Sequence, residues 1–365
     1  MKRVIISGGG TGGHIFPAVA IADELKRQFN DVDILFIGAE GKMEMEKVPQ
    51  AGYKIIGLPI AGLQRKLTLK NLALPFKIIK SMLMARKTLK NFRPDVVIGV
   101  GGYASGPTLK AAGMLGIPTL VQEQNSFAGK TNMLLAKSAK KLCVAYEGME
   151  KFFPKEKIAL TGNPVRLDVT EIDGKQKDGF EYFRLDPSKP VVLVIGGSLG
   201  AKTLNESFLV GIERFQKMGV QVLWQCGKLY YDSLMERVKG KDLTGIHITQ
   251  FISRMDFAYS IADLIVSRAG ALSVSELCLV KKPTILVPSP NVAEDHQTHN
   301  AMSLVSKDAA ILVKDVDAGA TLVNAAIELI SNKVLQEDLK VNIAKLGKPN
   351  ATRDIVEEIK KIAKK

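Results

Sequence analysis

The chain has 365 residues, 46% hydrophobic and 24% charged, enough for two domains of ordinary size, which excludes a disordered or fibrous polypeptide. Its three cysteines, Cys143, Cys226 and Cys278, are scattered without a C-x-x-C pair, which excludes a disulfide framework or zinc site and fits a reducing compartment. The formal net charge of +14 directs attention to anionic partners.

Residues 4–7, Val-Ile-Ile-Ser, read as a strand, Gly8-Gly9-Gly10-Thr11-Gly12-Gly13-His14 as a turn, and 15–29 as a helix. A strand, a glycine turn and a helix start aim backbone N–H groups and the positive helix end at one spot, which makes an anion site. Met1-Lys2-Arg3 and Ala18-Val19-Ala20 imitate the two ends of a signal peptide. Five glycines and a histidine occupy the place of its apolar region, so export is not expected. No stretch reads as a membrane-spanning helix.

A second strand is expected at 34–37 and another over 53–58. Asp31-Val32-Asp33 has the D-x-D form of metal-using sugar transferases but precedes a strand instead of ending one, so these read as solvated acids. Residues 47–94 contain eleven Lys/Arg and no Asp or Glu. Leu67, Leu69, Leu72, Leu74, Phe76, Ile78, Ile79, Met82, Leu83 and Met84 are interleaved with them. Such a segment suits an anionic membrane surface, by charge and shallow insertion. The alternative is a helix with its apolar face in the core. Nucleic acid is not expected as a partner, because aromatic residues for stacking are few and no nucleic-acid module is present.

Strands at 96–100, 119–122 and 141–145 follow. The first runs into Gly101-Gly102-Tyr103-Ala104-Ser105-Gly106-Pro107, a further glycine turn, and the second into Gln122-Glu123-Gln124-Asn125. Polar side chains at a carboxyl edge suit sugar hydroxyls, or are loop amides that satisfy one another. Gly162-Asn163-Pro164 breaks the rhythm, and the acidic stretch 168–178 marks a domain junction. The second half repeats the pattern, with strands at 191–195, 220–224, 247–250, 264–267, 284–287 and 311–313. Gly196-Gly197-Ser198-Leu199-Gly200-Ala201 follows the first of these and precedes a helix over 202–218. The expected fold is therefore α/β, two Rossmann-like domains facing a cleft, over 1–166 and 167–350. An amphipathic helix within 351–365 is expected to pack back towards the first domain. Open parallel sheets bind ligands beyond the carboxyl ends of their strands, where both glycine turns lie.

Gly8-x-Gly10-x-x-Gly13 matches the dinucleotide fingerprint, but the acid expected at the end of the second strand is missing: that strand ends Phe36-Ile37-Gly38. This argues against a nicotinamide or flavin cofactor. His14 stands where loop meets helix. As a neutral imidazole it can take a proton from a hydroxyl nucleophile, or it shapes the turn through backbone hydrogen bonds. Ser267-Arg268-Ala269-Gly270 leads into Ala271-Leu272-Ser273-Val274-Ser275-Glu276. A carboxylate early in that helix can accept both hydroxyls of a ribose while the helix start faces phosphates, or it can act as a buried cap. Gln297 can read sugar hydroxyls. His296 and His299 lack a second pair of ligands, and Asp315-Val316-Asp317 reads as a solvated helix cap, so no metal site is expected.

Taken in order, the two glycine turns, Gly101–Pro107, Glu123-Gln124-Asn125, Thr161-Gly162-Asn163-Pro164-Val165-Arg166, 268–276 and Gln297 resemble one bacterial family over nearly the whole chain. These are the N-acetylglucosaminyltransferases of peptidoglycan synthesis, which have the GT-B architecture. The resemblance implies transfer of N-acetylglucosamine from UDP-N-acetylglucosamine to undecaprenyl-pyrophosphoryl muramyl-pentapeptide, with inversion and without a cofactor. It places Thr11, Gly12, Gly13, Tyr103 and Asn125 on the acceptor and donor-sugar side. Arg166, Ser198, Ile252 (by backbone), Ala271, Leu272, Ser273, Val274, Ser275, Glu276 and Gln297 fall on the nucleotide sugar. His14 is the expected base, with Glu123 as its orienting partner or rival. A peripheral position on the cytoplasmic face of the membrane is also implied, with cell-wall synthesis or division proteins as candidate partners. Rivals are a diacylglycerol glucosyltransferase, a UDP-sugar epimerase, or a non-catalytic nucleotide- or membrane-binding protein.

Overall fold

The computed structural model describes residues 1–60 and 74–363. The chain divides into two compact units, Met1–Val165 with Pro349–Lys365, and Arg166–Lys348.

The first unit is built on seven parallel strands: β1 (Arg3–Ser7), β2 (Asp33–Ala39), β3 (Lys54–Leu58), β4 (Val96–Gly99), β5 (Thr119–Glu123), β6 (Lys141–Val144) and β7 (Ile158–Leu160). They lie in the order β3-β2-β1-β4-β5-β6-β7. Between them run α1 (Gly12–Gln28), α2 (Glu44–Gln50), α3 (Leu74–Phe92), α4 (Ser105–Met114) and α5 (Lys130–Ala136). Successive strand residues face opposite sides, and helices cover both sides, which is why Val4-Ile5-Ile6 is apolar without alternation. Val4 and Ile6 pack with Ile15, Ile21 and Leu25 of α1, whereas Ile5 packs with Leu89 of α3 and Leu109 of α4. The short edge strand β7 has no counterpart in the sequence reading, because three residues carry too little periodicity to be seen.

The second unit has six parallel strands: β8 (Val191–Ile195), β9 (Gln221–Gln225), β10 (Ile246–Thr249), β11 (Leu264–Ser267), β12 (Thr284–Leu286) and β13 (Ile311–Leu312). Their order is β10-β9-β8-β11-β12-β13. The helices are α6 (Gln176–Phe183), α7 (Lys202–Lys217), α8 (Tyr231–Val238), α9 (Met255–Ile261), α10 (Ala271–Val280), α11 (His296–Val305), α12 (Ala318–Ser331) and α13 (Lys333–Ala344). Phe208 and Phe215 of α7 stack with ring centroids 5.4 Å apart, and Trp224 lies fully buried beside them.

In each sheet the order reverses beside its first strand, between β1 and β4 and between β8 and β11. Ser7 is in register with Gly99, and Ile195 with Ser267, so the loops after each pair leave the sheet side by side. Gly9 N–H donates to Gly101 O at 3.3 Å. Gly102 has φ +85°, and a Cβ there would stand 2.3 Å from Gly9 O, so only glycine lets these turns meet.

The last helix, α14 (Ala351–Ile362), belongs to the first unit, and its Ile355, Val356 and Ile359 are fully buried against the α1 side of that core. Truncation there leaves a cavity. Ile359→Ala is expected to lower the unfolding free energy of the first unit by about 3 kcal/mol, while Lys360→Ala changes it by less than about 0.5 kcal/mol. Urea unfolding of both variants checks this.

Candidate functional site

The first unit offers two glycine turns and the polar end of β5. Thr11 has extended backbone and begins α1 without capping it through its side chain. His14 Nδ1 lies 3.0 Å from Gly9 O and 3.3 Å from Thr11 Oγ1. A carbonyl can only accept, so Nδ1 carries a proton, and in the neutral tautomer that this selects, the lone pair lies on Nε2. A Cβ on Gly101 would stand 2.9 Å from Nε2, so the glycine makes room for the ring edge. Tyr103 follows this turn and is half-exposed.

One feature of the first turn has no signal in the sequence. Glu44, at the start of α2, is buried and reaches back to accept Gly10 N–H at 2.7 Å and Ala39 N–H at 3.0 Å. A carboxylate of the protein itself thus sits on a backbone donor that phosphate takes in dinucleotide folds. The remaining N–H groups at Gly12 and Gly13 begin α1.

Glu123 is buried, and each of its oxygens has two donors. Oε1 accepts Asn125 N–H at 3.0 Å and Asn125 Nδ2 at 3.3 Å; Oε2 accepts Gly129 N–H at 3.0 Å and Asn132 Nδ2 at 2.8 Å. Four acceptor bonds occupy its lone pairs, a geometry that suits an anchor of loop 123–132 better than a proton acceptor. Asn125 is thereby fixed. Beneath it the amides of Gln122, Gln124 and Asn163 bond one another: Gln122 Nε2 donates to Asn163 Oδ1 at 3.0 Å, and Asn163 Nδ2 to Gln124 O at 2.9 Å.

In the second unit a hollow of about 350 Å³ is lined by the glycine turn after β8, Lys202, Thr203, Tyr230, Arg268, Ser273, Asn291, Gln297 and Asp315. Ser198 lies exposed at the tip of that turn, where its carbonyl accepts Lys228 N–H at 3.0 Å. Gly270 has extended backbone at the start of α10, and no side chain caps the helix. Leu272 and Ser273 are half-buried, whereas Val274 is buried. Ser275 Oγ donates to Ala271 O at 3.0 Å. Gln297 lines the hollow, and its Oε1 accepts Ser289 N–H at 2.9 Å.

Asp315 is not the solvated acid expected from sequence. It is half-buried, accepts Arg268 Nη1 at 2.5 Å and Thr203 Oγ1 at 3.0 Å, and lines the hollow. Its partners lie 47 and 112 residues away, beyond any local pattern. Asp31 and Asp33 are exposed.

Glu276 Oε2 accepts the buried Tyr259 hydroxyl at 3.1 Å. Burial pushes the Glu276 carboxyl up to about 7, against the opposing pull of that hydroxyl and of the Arg166 charge. Arg166 is exposed and pairs with Asp168 at 3.4 Å. The Ile252 N–H is engaged by Gln225 Oε1 at 2.9 Å.

Of the basic, apolar segment, Leu67, Leu69 and Leu72 lie outside the described residues. On α3, Phe76 is 75%, Ile79 57% and Leu83 62% exposed, so these apolar side chains face solvent and not the core. Among the described residues, no helix is long and apolar enough to cross a membrane.

The raised Glu276 carboxyl makes a signed prediction. Its folded-state value of about 7 exceeds the ordinary 4.5, so the folded protein holds a proton that the unfolded chain releases. Stability is expected to fall as pH rises from about 4.5 to about 7. Urea midpoints across that range check this: Glu276→Gln lacks the component.

Two family models match the chain: the glycosyltransferase family 28 N-terminal domain over residues 4–144 and the family 28 C-terminal domain over 191–359. A protein of Phocaeicola vulgatus is 55% identical over 364 residues, covering 100% of this chain and 97% of that protein. One from Porphyromonas gingivalis is 54% identical over 361 residues, covering 99% and 95%. Both are named UDP-N-acetylglucosamine–N-acetylmuramyl-(pentapeptide) pyrophosphoryl-undecaprenol N-acetylglucosamine transferase. The crystal structure of Acinetobacter baumannii MurG is similar with a TM-score of 0.80 and 32% identity, over 99% of this chain and 100% of that one. A UDP-N-acetylglucosamine 2-epimerase of Neisseria meningitidis shares the fold, with a TM-score of 0.68 and 16% identity over 99% of this chain and 100% of that one.

Proposed function

The chain belongs to glycosyltransferase family 28, and on that premise we propose how its residues carry the reaction. The enzyme is a UDP-N-acetylglucosamine-dependent transferase of peptidoglycan synthesis. It moves N-acetylglucosamine onto the undecaprenyl-pyrophosphoryl muramyl-pentapeptide. Relatives of this activity at 55% and 54% identity over nearly full length favour it over the epimerase reading, which rests on fold alone.

In our mechanism the muramyl 4-hydroxyl attacks the anomeric carbon from the face opposite UDP. The C–O bond to the β-phosphate breaks in the same step, giving a β-1,4 link. The observation that carries this is the hydrogen bond of His14 Nδ1 to Gly9 O, which leaves Nε2 as the proton acceptor. Glu123 acts as a positioning residue: it holds Asn125 and the loop around it. Thr11, Gly12, Gly13 and Tyr103 surround the acceptor sugar.

The donor falls to the second unit. Glu276 accepts the ribose hydroxyls, with Arg166 beside it. The Ile252 carbonyl receives uracil N3–H, since the N–H is engaged by Gln225. Gln297 and the first turn of α10 contact the sugar. Charge that develops on the leaving diphosphate is met by Ser198, the glycine turn and the helix start at 271–273. These fixed dipoles take the part that a divalent metal plays elsewhere.

The exposed face of α3 suits the interface of an anionic membrane, where a lipid acceptor lies. Phe76, Ile79 and Leu83 insert shallowly while Lys77, Lys80, Arg86 and Lys87 meet the headgroups. A place on the cytoplasmic face of the cell membrane follows from this reading.

Transfer from radiolabelled UDP-N-acetylglucosamine to a short-chain muramyl-pentapeptide lipid tests the mechanism. His14→Ala is expected to lower kcat by about 100- to 10,000-fold with donor binding intact. Glu276→Ala is expected to weaken UDP binding by about tenfold or more. EDTA should leave turnover unchanged; its abolition would sink the metal-free account. Replacing Phe76, Ile79 and Leu83 together by Ser is expected to abolish binding to phosphatidylglycerol vesicles and leave transfer to a detergent-solubilised acceptor intact.

A further inference from the structure

We propose that Lys202 is the counter-ion of the leaving diphosphate, and that the Arg268–Asp315 pair is what assigns it that task. The inference rests on reading the hollow of the second unit as the donor site.

Among the described residues, three charged side chains line that hollow: Lys202, Arg268 and Asp315. Arg268 is the obvious ligand for a phosphate, yet it is committed elsewhere. Its Nη1 donates to Asp315 Oδ1 at 2.5 Å, to Val287 O at 3.0 Å and to Pro288 O at 3.2 Å. The other Asp315 oxygen accepts Thr203 Oγ1 at 3.0 Å. The pair is 14% and 19% exposed, so water screens it little, and its charges cancel in place. It ties the end of β11, the end of β12 and the start of α7 together, which is the work of a scaffold.

Lys202 is the first residue of α7 and the neighbour of Thr203, and it is exposed. The acid placed to compete for it is Glu206, one turn on. Glu206 is taken by Arg237, which donates to its two oxygens at 2.6 and 2.7 Å. Glu206 still feels the charge of Lys202, but among the described residues no ion pair holds Lys202, so its ammonium is available at the wall of the hollow, beside the glycine turn. The helix that begins with it is 16 residues long and has no side-chain cap, so its own partial positive charge adds in the same direction.

In the displacement, the electron pair of the breaking C–O bond moves to the β-phosphate oxygen, while the acceptor oxygen forms its bond to the anomeric carbon and yields its proton to the base. One unit of negative charge is transferred onto the diphosphate. A cation fixed at that oxygen stabilises the transition state more than the ground state, and so contributes to kcat as well as to binding.

The test compares wild type, Lys202→Ala and Lys202→Arg, using UDP and uridine as probes together with transfer turnover. Lys202→Ala is expected to weaken UDP binding about tenfold and to lower kcat about 100-fold, leaving uridine binding unchanged. Lys202→Arg, which keeps the charge, should recover most of both. Lys202 is exposed, so the melting temperature of Lys202→Ala should match wild type. UDP binding and turnover undiminished in Lys202→Ala overturn the proposal alone. Equal loss for UDP and uridine would also overturn it, because the effect would then not reside in the diphosphate. Failure of wild type to bind UDP would overturn the donor-site reading and the proposal with it.

Discussion

The parallel pairing of β1 with β4, and of β8 with β11, is the constraint from which the rest follows. At each pair the connections leave in opposite directions along the sheet, so no crossover covers the strand ends. Two loops emerge side by side from Ser7 and Gly99, and again from Ile195 and Ser267. Glycine lets those loops approach backbone to backbone, and the helices that follow begin there with uncapped starts at Thr11, Ala201 and Gly270. Backbone donors are thereby collected at one edge of each sheet.

The two edges are not electrically alike. In the first unit the Glu44 carboxylate is already bonded to Gly10 N–H, so the turn carries an anion of its own. A second charged ligand at that donor would meet like charge. This frees the turn to shape His14, whose tautomer is set by Gly9 O. In the second unit Asp315 is held by Arg268 and does not reach the backbone donors of the turn among the described residues. The same backbone motif therefore has a different electrostatic setting in each unit, and the difference lies in which carboxylate reaches the loop.

Such sites sacrifice stability. Glu276 is pushed up to about 7 because burial outweighs the support that the Tyr259 hydroxyl and the Arg166 charge give its ionised form. Glu294 and Asp295 hold φ of +54° and +49° just before α11, a conformation that L side chains seldom adopt, and Gln297 follows at once. Both features sit in the second unit, to which the proposed function gives the nucleotide sugar.

Much of this was legible in the chain itself. The apolar runs 4–7 and 191–195, each followed by glycines and then a helix pattern, determine a buried parallel strand, a turn and an anion-facing helix start, because these depend only on local periodicity and on glycine's freedom at positive φ. His14, Glu276 and Arg268 could be singled out because each has a fixed offset from such a turn. Glu44, Tyr259, Asp315 and the anchoring of Asn125 by Glu123 and Asn132 could not. Nor could β7, too short to show a period. The Asp315 carboxylate meets Arg268 across 47 residues and Thr203 across 112, and no spacing rule reaches that far. Sequence alone determined where backbone donors would gather. Tertiary structure decided which charges would answer them, because electrostatic interaction follows distance through space, and only folding sets that distance.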